Sequence, residues 1–238
     1  MKKILLFLLV FISGFSSGAQ NTLVIDPNAS VRNLSGDFNA IKVSDGIDLY
    51  LSQSDDMAIA VSAADEKFKE GIKTTIENNT LKIYYEGDKG LRFKNRKLRV
   101  YVSFKSLEKL HASGACDVIV TGSISVPDLS MELSGACDFK GMVNVNTLKI
   151  ELSGASDLRI SGAANTVDIE SSGASDVKGY ELVTDFCNAK ASGASDIYIT
   201  VNKELNANAS GASDIHYKGT ALIREMHSSG ASNVSRKS

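Results

Sequence analysis

An all-β fold is what this sequence predicts, specifically a single-stranded right-handed β-helix (β-solenoid) of about 19 residues per coil with more irregular N-terminal coils. Three observations predict it. One pentapeptide recurs seven times, apolar residues alternate with polar ones between the copies, and the 238 residues hold 19 Gly but only 2 Pro and no Trp.

The copies are Ser113-Gly-Ala-Cys-Asp117, Ser134-Gly-Ala-Cys-Asp138, Ser153-Gly-Ala-Ser-Asp157, Ser172-Gly-Ala-Ser-Asp176, Ser192-Gly-Ala-Ser-Asp196, Ser210-Gly-Ala-Ser-Asp214 and Ser229-Gly-Ala-Ser-Asn233. Their serines are 21, 19, 19, 20, 18 and 19 residues apart, a period that marks stacked repeats. Leu148, Ile150 and Leu152 alternate before one motif, and Leu158 and Ile160 after it. Period two means strands, so helical and leucine-rich repeats fit poorly. Each unit reads as two or three short strands turned by Ser-Gly-Ala, where glycine takes a conformation closed to other residues. The right hand is the usual one for parallel crossovers. The corners, Gly154 and Ala155 among them, are expected to stack on their copies in a close-packed interior.

A single coil cannot bury enough to order itself, so neighbours must supply the stability. The ends should then be blunted. Five residues before the motif serine stand Leu129, Leu148, Val167, Cys187 and Leu205 in the middle, but Glu108 and Arg224 at the two extremes.

Ahead of the first motif, strands are expected over 38–43, 47–51, 57–61, 81–85 and 98–102, with a helical turn over 64–70. This half, 34–112, reads as irregular coils continuous with the regular coils of 113–234, with a hairpin near Gly87 to Gly90. Ser44-Asp-Gly-Ile-Asp48 looks like a divergent corner. Residues 1–19 read as a secretory signal: Lys2 and Lys3, an apolar run from Ile4 to Ile12, and small residues ending at Ala19. A lead-in covers 20–33 and a short tail 235–238. The run at 4–12 is too short to cross a bilayer as a helix, so the chain is expected to be exported without a transmembrane segment.

Charge and composition narrow the function. With 26 Lys plus Arg against 28 Asp plus Glu, the chain is no general nucleic-acid binder. Aromatics at 7% are sparse for stacking sugars or bases. If the residue after each Asp points inward, Asp117, Asp138, Asp157, Asp176, Asp196 and Asp214 form an outward ladder about 4.8 Å per step. Carboxylate oxygens suit Ca²⁺, but Asn233 completes the series without charge and favours a turn role. Lys140, Arg159 and Lys178, two residues on, are placed to neutralise the ladder. Glu132, Glu151 and Glu170 form a second outward column, the geometry in which a glycosidase pair is sought, yet every coil is alike. His111 and His227 share a repeat phase at opposite ends, some 29 Å apart at ~4.8 Å per step, and His216 lies on another face. The basic run Lys89, Arg92, Lys94, Arg96, Lys97 and Arg99 reads as a solvated hairpin, with acidic glycans as the functional alternative. Cys116 and Cys137 occupy the place of Ser156 and are expected inside on adjacent coils. Cys187 is expected as a small apolar filler, and all three as unpaired thiols.

The Ser-Gly-Ala-Ser-Asp coils, the entry Phe38-Asn-Ala-Ile-Lys-Val-Ser-Asp-Gly-Ile-Asp-Leu-Tyr-Leu and the strand Leu81-Lys-Ile-Tyr resemble the auto-transporter adhesin head GIN domain family, over about residues 34 to 234. The resemblance implies a β-helix, an adhesin label and an origin among secreted and envelope proteins of Bacteroidetes. It carries over no catalytic residue. The reading is therefore an exported, non-catalytic adhesin or envelope structural protein in the periplasm, on the outer membrane or outside the cell. No catalytic, cofactor-binding or metal-ligating residue is assigned. A surface glycan or an envelope protein is the expected partner, with self-association open. The alternative is a lyase or hydrolase acting on polysaccharide from a β-helix scaffold.

Overall fold

A computed structural model describes residues 26–87 and 96–238. The signal segment at 1–19, the first part of the lead-in and the expected hairpin tip beyond Gly87 lie outside the described residues.

The head contains β1 (Ser30–Arg32), β2 (Ala40–Val43), β3 (Asp48–Gln53), β4 (Ala58–Ser62), α1 (Glu66–Gly71), β5 (Ile72–Glu77), β6 (Thr80–Tyr85), β7 (Arg99–Phe104) and β8 (Lys109–Gly114). The tail contains β9 (Asp117–Gly135), β10 (Asp138–Leu152), β11 (Asp157–Ser171), β12 (Asp176–Ala191), β13 (Asp196–Gly211), β14 (Asp214–Lys218), β15 (Leu222–Gly230) and β16 (Asn233–Arg236). The whole is a β-solenoid of about 7 turns with about 19 residues per coil.

From β9 to β13 each strand runs almost a full coil, instead of the two or three short pieces expected. Neighbours pair in parallel, Asp138 on Asp157 and Asp157 on Asp176. Parity decides what is inside. Leu129, Leu148, Val167, Cys187 and Leu205 form one buried column, and Leu110, Met131, Ile150, Ile169, Ala189 and Ala207 another. Each such side chain contributes on the order of 1.5–3 kcal/mol by leaving water, but only because coils above and below close the column.

The head departs from the expected simple succession. β2 pairs in parallel with both β6 and β8, and β3 with both β7 and β9. The β2–β3 coil therefore lies between the β6–β7 coil and the first regular coil, out of chain order. Glu108 does not mark the end of the stack: its N–H donates to the Asn39 carbonyl and its own carbonyl accepts from Ser130. It sits at the seam where the chain returns. The outermost coil is covered by antiparallel strands, β5 on β6 and β4 on β7, with β1 antiparallel on β4. Asn78 and Asn79, both at positive φ, make the two-residue turn of the β5–β6 hairpin. Asp65 caps α1 by accepting from the Lys67 N–H.

Candidate functional site

The corner is the element that positions everything outside it. Gly135, Gly154, Gly173, Gly193 and Gly211 all have φ near +80 to +87. Each following alanine donates its N–H to the glycine carbonyl one coil earlier, as from Ala155 to Gly135 at 2.7 Å. The glycines and alanines are exposed, contrary to the expected interior packing, because this corner stacks backbone on backbone. Only the fourth residue points in. There the side chain folds back to the carbonyl of its own motif serine: Ser156 to Ser153 at 3.1 Å, Ser195 to Ser192 at 2.9 Å, Cys116 to Ser113 and Cys137 to Ser134 at 3.2 Å. A thiol and a hydroxyl do the same work there, which is why the motif admits both.

Cys116, Cys137 and Cys187 are free and buried, as the strand parity predicts. Cys116 is pushed up by its hydrogen bond to Cys137 and by burial. Burial, helped by the nearby Asp168 charge, pushes Cys187 up to about 12.

Outside the corner runs the aspartate ladder, in register from Asp117 through Asp138, Asp157, Asp176 and Asp196 to Asp214, then Asn233. It is longer than the repeats reveal. Asp48 accepts from the Asp117 backbone N–H and pairs on its other side with Arg99. Burial raises the Asp48 carboxyl and the Asp117 charge raises it further; burial followed by the Asp138 charge raises Asp117. Of the three cations expected to neutralise the ladder, Lys178 alone does so, at 3.1 Å from Asp157 and 3.4 Å from Asp176. Lys140 and Arg159 form no ion pair among the described residues; their side chains extend into solvent from exposed positions. At the far end Asp196 accepts from the Asp214 N–H and from the Tyr198 hydroxyl.

The second column gives the concave feature. Glu132, Glu151, Glu170, Lys190 and Asn208 stand in register and line a shallow groove of about 380 Å³ with Ser153, Ser172, Ser192 and Ser210. Every glutamate has its own basic neighbour. His111 lies 3.0 Å from Glu132, Lys149 2.5 Å from Glu151 and Lys190 2.7 Å from Glu170. Lys190 holds the Glu170 carboxyl below the usual carboxylate range. The groove is thus polar and open, with Glu151 and Glu170 balanced by lysines, and is suited to hydroxyl- and amine-bearing ligands.

The remaining candidates are dispersed. His111 and His227 occupy one register column six steps apart. His216 packs on Tyr198, ring centroids 5.0 Å apart, and hydrogen-bonds Ser235. This continues an aromatic row with Tyr180, which the motif spacing did not flag because it sits between the repeats. Lys89, Arg92 and Lys94 of the basic run lie outside the described residues. Arg96 stacks on Tyr85 at 4.7 Å and Arg99 lies 3.6 Å from Asp26, so these two serve the head rather than a free basic patch.

Parallel coils that hold outward side chains in register define a β-solenoid repeat protein that presents laddered faces. The family follows from the sequence: residues 37–221 match the profile described as putative auto-transporter adhesin, head GIN domain, and the chain belongs to that family. Solved structures share the fold. A putative adhesin from Bacteroides fragilis is 18% identical, with a TM-score of 0.80 over 92% of this chain and 100% of its own. One from Parabacteroides distasonis is 19% identical, with a TM-score of 0.72 over 88% of this chain and 96% of its own. A putative lipid-binding protein from the same species is 20% identical, with a TM-score of 0.64 over 89% of this chain and 97% of its own. No curated protein matches the chain in sequence. No described helix is long and apolar enough to cross a membrane.

Proposed function

We propose that the protein is an exported, non-catalytic adhesion or scaffold module of the cell envelope, residues 34–234 forming one domain behind a signal segment at 1–19. One observation carries the reading: the groove repeats the same carboxylate on three successive coils, Glu132 beside the His111 imidazole and Glu151 and Glu170 each neutralised by a lysine. Acid–base catalysis on a glycan needs two carboxyls in contrasting environments, one of them raised. Glu170 is instead lowered. Family membership and the fold shared with adhesin structures support a binding role. The ligand assigned to the groove is a surface glycan or an envelope protein segment, held by the glutamates, Lys190 and the serine hydroxyls. Glycan-array binding with reducing-end measurements on the same glycans tests this. Expected is binding that Glu151→Ala and Glu170→Ala together weaken, with no new reducing ends. Product release, or binding indifferent to both substitutions, overturns it.

A further inference from the structure

The two ends of the solenoid are finished differently. At the head, β4 and β5 lie antiparallel on the outermost coil, and their own Ile59, Val61 and Ile72 are buried, as is Tyr85 of β6. At the tail, β15 pairs with β13 on one side and with no strand on the other among the described residues. Met226 continues the inward column that ends at Ala207. Ala207 is 2% exposed and Met226 is 46% exposed; Leu222, at the start of the strand, is 55% exposed. The free edge of β15 presents backbone N–H and C=O groups beside these apolar side chains, which is a template for another strand.

We infer that the tail is a self-association surface on which a second copy of the chain docks tail to tail. The two-fold axis passes at Met226, and β15 pairs antiparallel with its own counterpart. The inward residues of the head are already covered, so head-to-tail packing would set Met226 against a closed coil and not an open core column. A two-fold needs only one patch that complements itself. Strand parity then restricts the register, because inward side chains must oppose inward ones. Centring on Met226 brings the two methionines together and sets Glu225 opposite His227 of the second copy, twice by symmetry. Centring on His227 would oppose histidine to histidine and leave Glu225 facing Ser229. The two carboxylate–imidazole contacts select the Met226 register.

Size-exclusion chromatography with light scattering on the full chain, processed on export, is expected to give twice the chain mass. Met226→Arg sets two like charges on the axis and is expected to give the single mass with unchanged far-UV circular dichroism, since Met226 belongs only to the last coil. Glu225→Lys weakens the dimer, and adding His227→Glu restores it by reversing the pair across the axis. A parent that stays monomeric up to its solubility limit overturns the inference. So does a dimer that survives Met226→Arg, or a double variant that associates no better than Glu225→Lys.

Discussion

Gly154 stands directly over Gly135: a Cβ added to Gly154 would lie 2.4 Å from the Gly135 carbonyl oxygen, the atom that receives the Ala155 N–H. Two constraints coincide there, a φ of +80 and the absence of room for one carbon. Ala155, its neighbour in the chain, is exposed.

The corner therefore makes a paired prediction. Gly154→Val is expected to cost at least ~3 kcal/mol through backbone strain and displacement of the coil below. At roughly 2–4 °C per kcal/mol, the melting temperature falls by about 6–12 °C. Ala155→Leu changes stability by no more than ~0.5 kcal/mol, as exposed substitutions do. Thermal melts of the two variants decide it. An equal loss from both would show that the corner is packed by side chains after all.

The three thiols are expected to be unreactive in the native protein and all three alkylated after unfolding. Cys116 holds its proton through its hydrogen bond to Cys137 and through burial, and Cys187 through burial and the Asp168 charge. The same bond draws Cys137 down to about 7, and there full burial is what keeps the reagent away. Mass spectrometry without reductant reads the result. One label after unfolding, with a mass deficit of about 2 Da, would mean a Cys116–Cys137 disulfide.

Asp48 gives a pH dependence of definite sign. Its carboxyl is raised above the ordinary 3.8 by burial and by the Asp117 charge, so the folded state binds the proton more tightly than the unfolded chain. Stability must then fall as pH rises from about 3.8 through the raised folded value. Asp48→Asn removes that loss and keeps an acceptor for the Asp117 N–H. Its melting temperature at pH 7 is expected about 1–3 °C above the parent's, the size of a fraction of ~1 kcal/mol in a chain this long. The gain disappears below pH 3.8. A lower melting temperature at pH 7 would mean that the Arg99 contact outweighs the ladder repulsion.

Much of the tail was legible because its signal is local and repeated. Alternation assigns Ile150 and Leu152 to the interior without knowledge of any partner, and the corner copies align Asp157 with Asp176. The order of the head coils was not legible. Ile41 and Val43 alternate as Leu81 and Ile83 do, and nothing in either strand records that β8 will settle on β2. β5 escaped because Thr74, Thr75 and Glu77 blur its apolar face, although Asn78-Asn79 carried the turn. Of the candidate sites, the Asp and Glu columns follow from parity alone. Their partners do not: His111, Lys149 and Lys190 reach the glutamates from different places in the repeat, and Arg99 meets Asp48 only through the crossover.

The out-of-order coil divides the chain into a part that can change length and a part that cannot. In the tail beyond β9, every coil is one contiguous stretch whose backbone pairs only with the stretch before and the stretch after it. Duplicating or deleting residues 157–175 would lengthen or shorten the rod by one ~4.8 Å step and leave every other pairing intact. The head has no such unit. Excising β2 and β3 would strip two flanking coils of their shared neighbour, and the crossover from β7 to β8 would span a gap. Gain or loss of a whole corner repeat is therefore the change of length that this architecture admits, while the head can only be kept or lost as one piece.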